Sequence, residues 1–199
     1  MALVTYDDLK AQAANWLARD DLTDNIPDFV TLFEAKIARK LNLRPTEAVA
    51  TITMSSGAGP LPADFLGMRR LTWNGTPKRE LDYVHPGVLK ALHPAGETGI
   101  PNLFTIEAGN ILVSPSDDTA LSILYRAKTP ALVTSLNWLW ITYPDIYLYG
   151  TLAEAQGFNI DPEKLAMWKG LADEGMEDIV RNDFNERTNM SMRVMGPTP

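Results

Sequence analysis

Leu136-Asn-Trp-Leu-Trp-Ile-Thr-Tyr-Pro-Asp-Ile-Tyr-Leu-Tyr-Gly-Thr-Leu-Ala-Glu-Ala-Gln-Gly-Phe158 carries three of the chain's six tyrosines and two of its five tryptophans. Thr142 or Tyr143 can cap a helix here, and Pro144 suits its first turn, where a missing N–H costs nothing. Beyond Pro144, Ile146, Leu148, Leu152 and Ala155 alternate with Tyr147, Tyr149 and Ala153. Apolar or aromatic groups therefore point in most directions. A helix apolar nearly all round is buried by other elements or by another chain. A buried central helix near Pro144–Gly157 is the first expectation.

Two helices precede it by the same logic. Thr5 is a good N-cap with Asp7 and Asp8 in the favourable first turn, and Leu9, Ala13, Trp16 and Leu17 follow at helical spacing. Asp24 or Asn25 caps the second, with Pro27 in its first turn and Phe29, Val30, Phe33, Ile37 and Leu41 as its stripe. Arg44-Pro45 stops it. A fourth helix opens at Asp161-Pro162-Glu163 and runs through Leu165, Trp168, Ala172, Met176, Ile179 and Val180. Gly170 and Gly175 each cost about 1 kcal/mol against Ala inside it, which implies close packing or a kink. Trp16, Phe33, Ile37, Leu148, Leu152 and Trp168 are the expected core. From Arg187 the pattern fails, and Asn189–Pro199 reads as an extended tail.

The period changes near residue 48. Val49, Thr51 and Thr53 begin a short strand, and Ser55–Pro60 is a turn that lacks the lysine of a phosphate loop. Leu66–Trp73 is a second strand followed by an Asn74-Gly75 hairpin turn, and Pro86–Leu92 is a short helix. Leu103–Glu107 and Ile111–Ser114 flank a second hairpin at Ala108-Gly109-Asn110, and Leu121, Ile123 and Tyr125 line one face of a last strand. The expected class is α+β. A bundle of about four helices (1–48 and 134–188) carries a β-rich antiparallel insertion (49–133) between its second and third long helices, and a tail follows (189–199).

Composition narrows the function. The chain has 199 residues, no cysteine and a formal net charge of −7. Acids and bases stand at 8 to 6 over residues 1–48, 7 to 7 over 49–133 and 10 to 5 over 134–199. No third is basic, and phosphate neutralisation by Lys and Arg drives nucleic-acid affinity. No secretory signal or membrane span is expected. His85 and His93 each precede a proline and read as solvated or capping groups rather than a metal site. Asp173, Glu174, Glu177 and Asp178 sit on adjacent turns and could hold a divalent cation, which keeps a metal-dependent hydrolase as the alternative function. A solvated face is the stronger reading of that cluster, and Met176, Ile179 and Val180 would supply the opposing core face. No catalytic, cofactor or metal residue is expected.

The Tyr143–Ala155 stretch resembles the signature of head-to-tail adaptor (connector) proteins of tailed bacteriophages. Ile26–Val30 leading into Glu34–Leu41 resembles their second helix. Leu61–Leu66 with Arg69-Arg70-Leu71 and Asn110–Pro115 resemble two further segments, in the same order along the chain. The resemblance implies helices carrying a β-rich insertion and a structural role in the virion neck, with assembly in the host cytoplasm. It implies a ring of subunits, twelve-fold to match a portal, that docks beneath the portal protein. That ring would extend the DNA channel and provide the platform for tail or nozzle proteins, with genomic DNA passing through unbound. The expected partner-contact residues are Met190, Met192, Val194 and Met195 of the tail, with Tyr147 and Tyr149.

Overall fold

The computed structural model describes residues 3–41, 43–92 and 96–191. The chain divides into two compact units, Met1–Pro45 with Thr129–Pro199, and Thr46–Lys128. The architecture is mixed helix and sheet.

The helical unit contains α1 (Tyr6–Leu17), α2 (Ile26–Lys40), a short α4 (Trp138–Thr142), α5 (Pro144–Asn159) and the long α6 (Pro162–Ser191). Thr5 caps α1 reciprocally. Its hydroxyl accepts from the Asp8 N–H (3.2 Å), and the Asp8 carboxylate accepts from the Thr5 N–H (2.8 Å). The hydrogen bonds from Thr5 hold the Asp8 carboxyl below its ordinary range. A depressed carboxylate stabilises the fold above its unfolded pKa and loses that contribution as pH falls through the folded value. Thr5→Ala is expected to cost about 1 kcal/mol at neutral pH. In urea melts at neutral and acidic pH, the difference between variant and native should shrink at the acid end.

Helix α5 is the centre of this unit. Ile146, Tyr147, Leu148, Leu152, Ala153 and Ala155 are all buried, and α1, α2, α4 and α6 pack around it. Its apolar surface between Ile146 and Ala155 is thus largely covered within the chain, and Phe158 near its end is exposed. The second-helix stripe Phe29, Val30, Phe33, Ile37 and Leu41 is buried throughout. Gly150 makes the α2–α5 contact possible, since a Cβ there would lie 2.1 Å from the Phe33 ring.

A polar network runs through this core. Tyr147 Oη donates to Glu34 Oε1 (3.2 Å) and accepts from Asn137 Nδ2 (2.7 Å). Asn137 also donates to the Pro130 carbonyl (3.0 Å), and its Oδ1 caps α4 at the Trp140 N–H (3.0 Å). Glu34 accepts from the Leu132 N–H (2.7 Å), and the Trp140 indole N–H donates to the Val4 carbonyl (3.0 Å). The chain re-entering at residue 129 is therefore pinned to α2, α5 and the N-terminal segment. Buried polar atoms need such partners. Burial raises the Tyr147 phenol pKa, and the Glu34 carboxylate acts in the same direction.

The second unit contains two four-stranded sheets. One has the order β1 (Glu47–Ile52), β8 (Leu121–Ala127), β3 (Phe65–Trp73), β4 (Arg79–Glu80). The other runs β2 (Ala58–Pro60), β7 (Asn110–Ser114), β6 (Leu103–Glu107), β5 (Asp82–Tyr83), and α3 (Pro86–Leu92) follows β5 in the chain. Ile52, Leu71, Leu121 and Ile123 from the first sheet share one core with Phe104, Ile111 and Val113 from the second, which makes a small sandwich. The β6–β7 turn is Ala108-Gly109, both at positive φ (49° and 78°), the conformation that tight two-residue hairpins require.

Several details differ from expectation. The pairing of β5 with β6 is parallel, although the other strand ladders among the described residues are antiparallel. Ala58–Pro60, read as turn, is strand β2 paired to β7. Asn74-Gly75 is not a two-residue turn. Trp73 pairs with Arg79, so a five-residue loop joins β3 to β4, and Gly75 leaves room for the Trp73 ring. A short helix, α4, stands before Pro144 where no separate helix was expected, and the Asn137 side chain caps it. Backbone helix continues to Ser191 where an extended tail was expected from Asn189. Residues 192–199 lie outside the described residues, as does His93.

The core differs in three side chains. Trp16 is 46% exposed and Val180 is 43% exposed, whereas Trp168 is half-buried at the edge of the core. Trp168 stacks on Tyr149 and Trp16 meets both at a tilt, with ring centroids 5.4–6.4 Å apart. They form a surface aromatic cluster in which each ring covers another. Phe33, Ile37, Leu148 and Leu152 are buried as expected. No helix of the described residues is long and apolar enough to cross a membrane.

Candidate interaction surfaces

The acidic cluster of α6 comes apart in three dimensions. Asp173 pairs with Lys40 of α2 (2.5 Å) and Asp178 with Arg181, whereas Glu174 and Glu177 face solvent. Among the described residues no group of three or more His, Asp or Glu side chains is placed to hold a metal ion. His85 is exposed, and its Nδ1 accepts from the Gly87 N–H (3.2 Å) at the start of α3.

The expected partner-contact residues separate similarly. Tyr147 is 1% exposed, and its hydroxyl is engaged inside the unit. It is a core residue, with its ring edge-on to those of Phe33 and Trp140. Tyr149 is half-buried within the aromatic cluster. Met190 lies on the helical backbone of α6, and Met192, Val194 and Met195 lie outside the described residues.

Two of the grooves in the helical unit lie along α2 and α6. One, of about 500 Å³, has an apolar floor of Leu41, Met176, Val180 and Phe184. Val180 and Phe184 are 43% and 66% exposed. The other, of about 290 Å³, lies among α2, α5 and α6. Its floor is Phe33, Gly150, Ala153, Ala172 and Met176, and its cationic rim is Lys36, Arg39, Lys40 and Lys169. Glu154 and Asp173 are the acids at this rim, bound to Lys36 and Lys40 respectively. Net charge per third of sequence could not reveal this basic site. Three of its cations come from α2, and the fourth comes from α6 across the fold.

Ion pairing within the unit singles the groove out further. Lys10, Arg19, Lys164 and Arg181 pair with nearby acids in sequence. Lys36, Lys40 and Arg44 pair across elements, with Arg44 reaching both Asp183 and Glu186. Arg39 and Lys169 have no carboxylate partner among the described residues of the unit, and both stand at the same groove.

Residues 4–196 match the family model described as SU10 adaptor protein, and the chain belongs to that family. It is thus a bacteriophage adaptor, a structural class of protein. No curated protein matches the chain.

Proposed function

We propose that this chain is a head-to-tail adaptor of the virion neck. Copies dock as a ring on the portal protein, twelve-fold to match it, extend the DNA channel and offer a platform to tail or nozzle proteins. Assembly takes place in the host cytoplasm. The observation that carries this reading is the family match over nearly the whole chain, joined to a helical unit whose surface offers two grooves and a polar rim. The role needs no reaction centre.

The charge supports it as well. At −7 per copy, identical subunits repel without a template. A portal supplies a symmetric array of sites and raises local concentration. The same net charge favours passage of genomic DNA without specific binding. Met190, Met192, Val194 and Met195 are the proposed partner contacts, to the portal or to a neighbouring subunit. Tyr149 belongs to the proposed partner surface, and Tyr147 does not.

The test is to mix the purified chain with the portal of its phage and measure masses under native conditions. The expected species is the portal plus a full complement of adaptor copies, with the free chain as monomer or weak oligomer. A portal mass unchanged by excess chain would refute the reading.

A further inference from the structure

The groove among α2, α5 and α6 holds Arg39 and Lys169, which have no carboxylate partner among the described residues of the helical unit. Exposed cations normally find solvent enough, but here the charge is concentrated at the rim of an apolar-floored cleft. A partner for it should be acidic, with apolar groups between its acids.

The outward face of α6 has that chemistry. Ala172, Met176 and Ile179 mark its buried side. At about 100° per residue, Glu163, Met167, Gly170 and Glu174 lie together on the opposite side. Both acids are exposed and in no ion pair among the described residues, and Met167 is 50% exposed. Gly170 adds an independent observation. A glycine in the middle of a 30-residue helix weakens it relative to alanine, and at Gly175 the close approach of Ile146 explains the choice (2.9 Å to a built Cβ). At Gly170 a Cβ would meet nothing within 4 Å. No neighbour in its own chain requires that glycine, and it leaves a side-chain-free notch in the acidic stripe.

We propose that the occupant of the basic groove is the outward face of α6 of a second copy. Glu163 and Glu174 face Arg39 and Lys169, Met167 meets the apolar floor, and Gly170 admits the rim side chains close to the helix backbone. The two surfaces are different parts of one subunit, so the contact is head-to-tail and can close a ring. Opposite charges brought together there offset the mutual repulsion of acidic subunits. This inference rests on the adaptor reading and names the lateral contact of the proposed ring.

Charge exchange tests it. The variants are Arg39→Glu with Lys169→Glu, Glu163→Lys with Glu174→Lys, and the chain carrying all four changes. Every altered side chain is exposed, and circular dichroism should show native helix content in each. Ring formation on the portal, read by native mass, should weaken at least about tenfold in each double variant and recover in the fourfold one. Gly170→Gln should fold at least as well as the native chain yet assemble less. Double variants that assemble normally would overturn the contact. So would loss in the groove variant that the fourfold chain does not restore, which would assign the groove to DNA phosphate or to the portal. If the native chain itself forms no ring on the portal, the adaptor reading fails first.

Discussion

Trp140→Ala is expected to destabilise the helical unit by about 3–5 kcal/mol, the cost of emptying a large, well-filled aromatic site. Trp140 is 2% exposed, and its ring meets Tyr147 edge-on at 5.8 Å between centroids. The indole N–H also holds the Val4 carbonyl, so the substitution frees the start of the chain as well as a cavity. Against a total stability of about 5–15 kcal/mol typical of domains, such a loss would leave the unit marginal. Urea unfolding followed by helix signal measures it. A shift below about 1 kcal/mol would mean that α4 is not part of the core.

Gly150→Val should cost about 3 kcal/mol or more, at the upper end of what overpacking does. The first added carbon already falls 2.1–2.3 Å from three atoms of the Phe33 ring. That ring is 2% exposed and stands edge-on to Tyr147 at 5.7 Å. Relief requires the ring to leave its packed position or α2 to move away from α5. The double variant Gly150→Val with Phe33→Ala should recover part of the loss, because the smaller residue vacates the space the valine needs. No recovery in the double variant would show that the clash lies elsewhere.

The contrast between these sites and Gly170 shows what sequence can carry. A mid-helix glycine is visible in the sequence, but whether a neighbour presses on it is not. Gly150 and Gly175 answer to Phe33 and Ile146, each more than twenty residues away in the chain, and Gly170 answers to nothing in its own chain. Local patterns were legible. The all-round apolar character of α5 pointed to its burial, Thr5 pointed to a cap, and Ala108-Gly109-Asn110 pointed to a hairpin. Trp16 misled because it falls at the right spacing for the core but turns outward to meet Trp168. Asn137 and Glu34 gave no sign of the network they build, since their partners are fixed only when the chain returns to the helical unit after residue 128. The basic groove was hidden for the same reason. Its cations are divided between α2 and α6, and the acids elsewhere in the first and last thirds of the chain outweigh them in the regional totals.

The adaptor role is tested most directly by electron microscopy of particles assembled without this chain. The expected particles are heads that package DNA but carry no tail and lose their genome through an open portal, with tails accumulating separately. Complementation with the native chain should restore joined particles, whereas the groove double variant should not. Normally tailed, DNA-retaining particles in the absence of the chain would contradict the account.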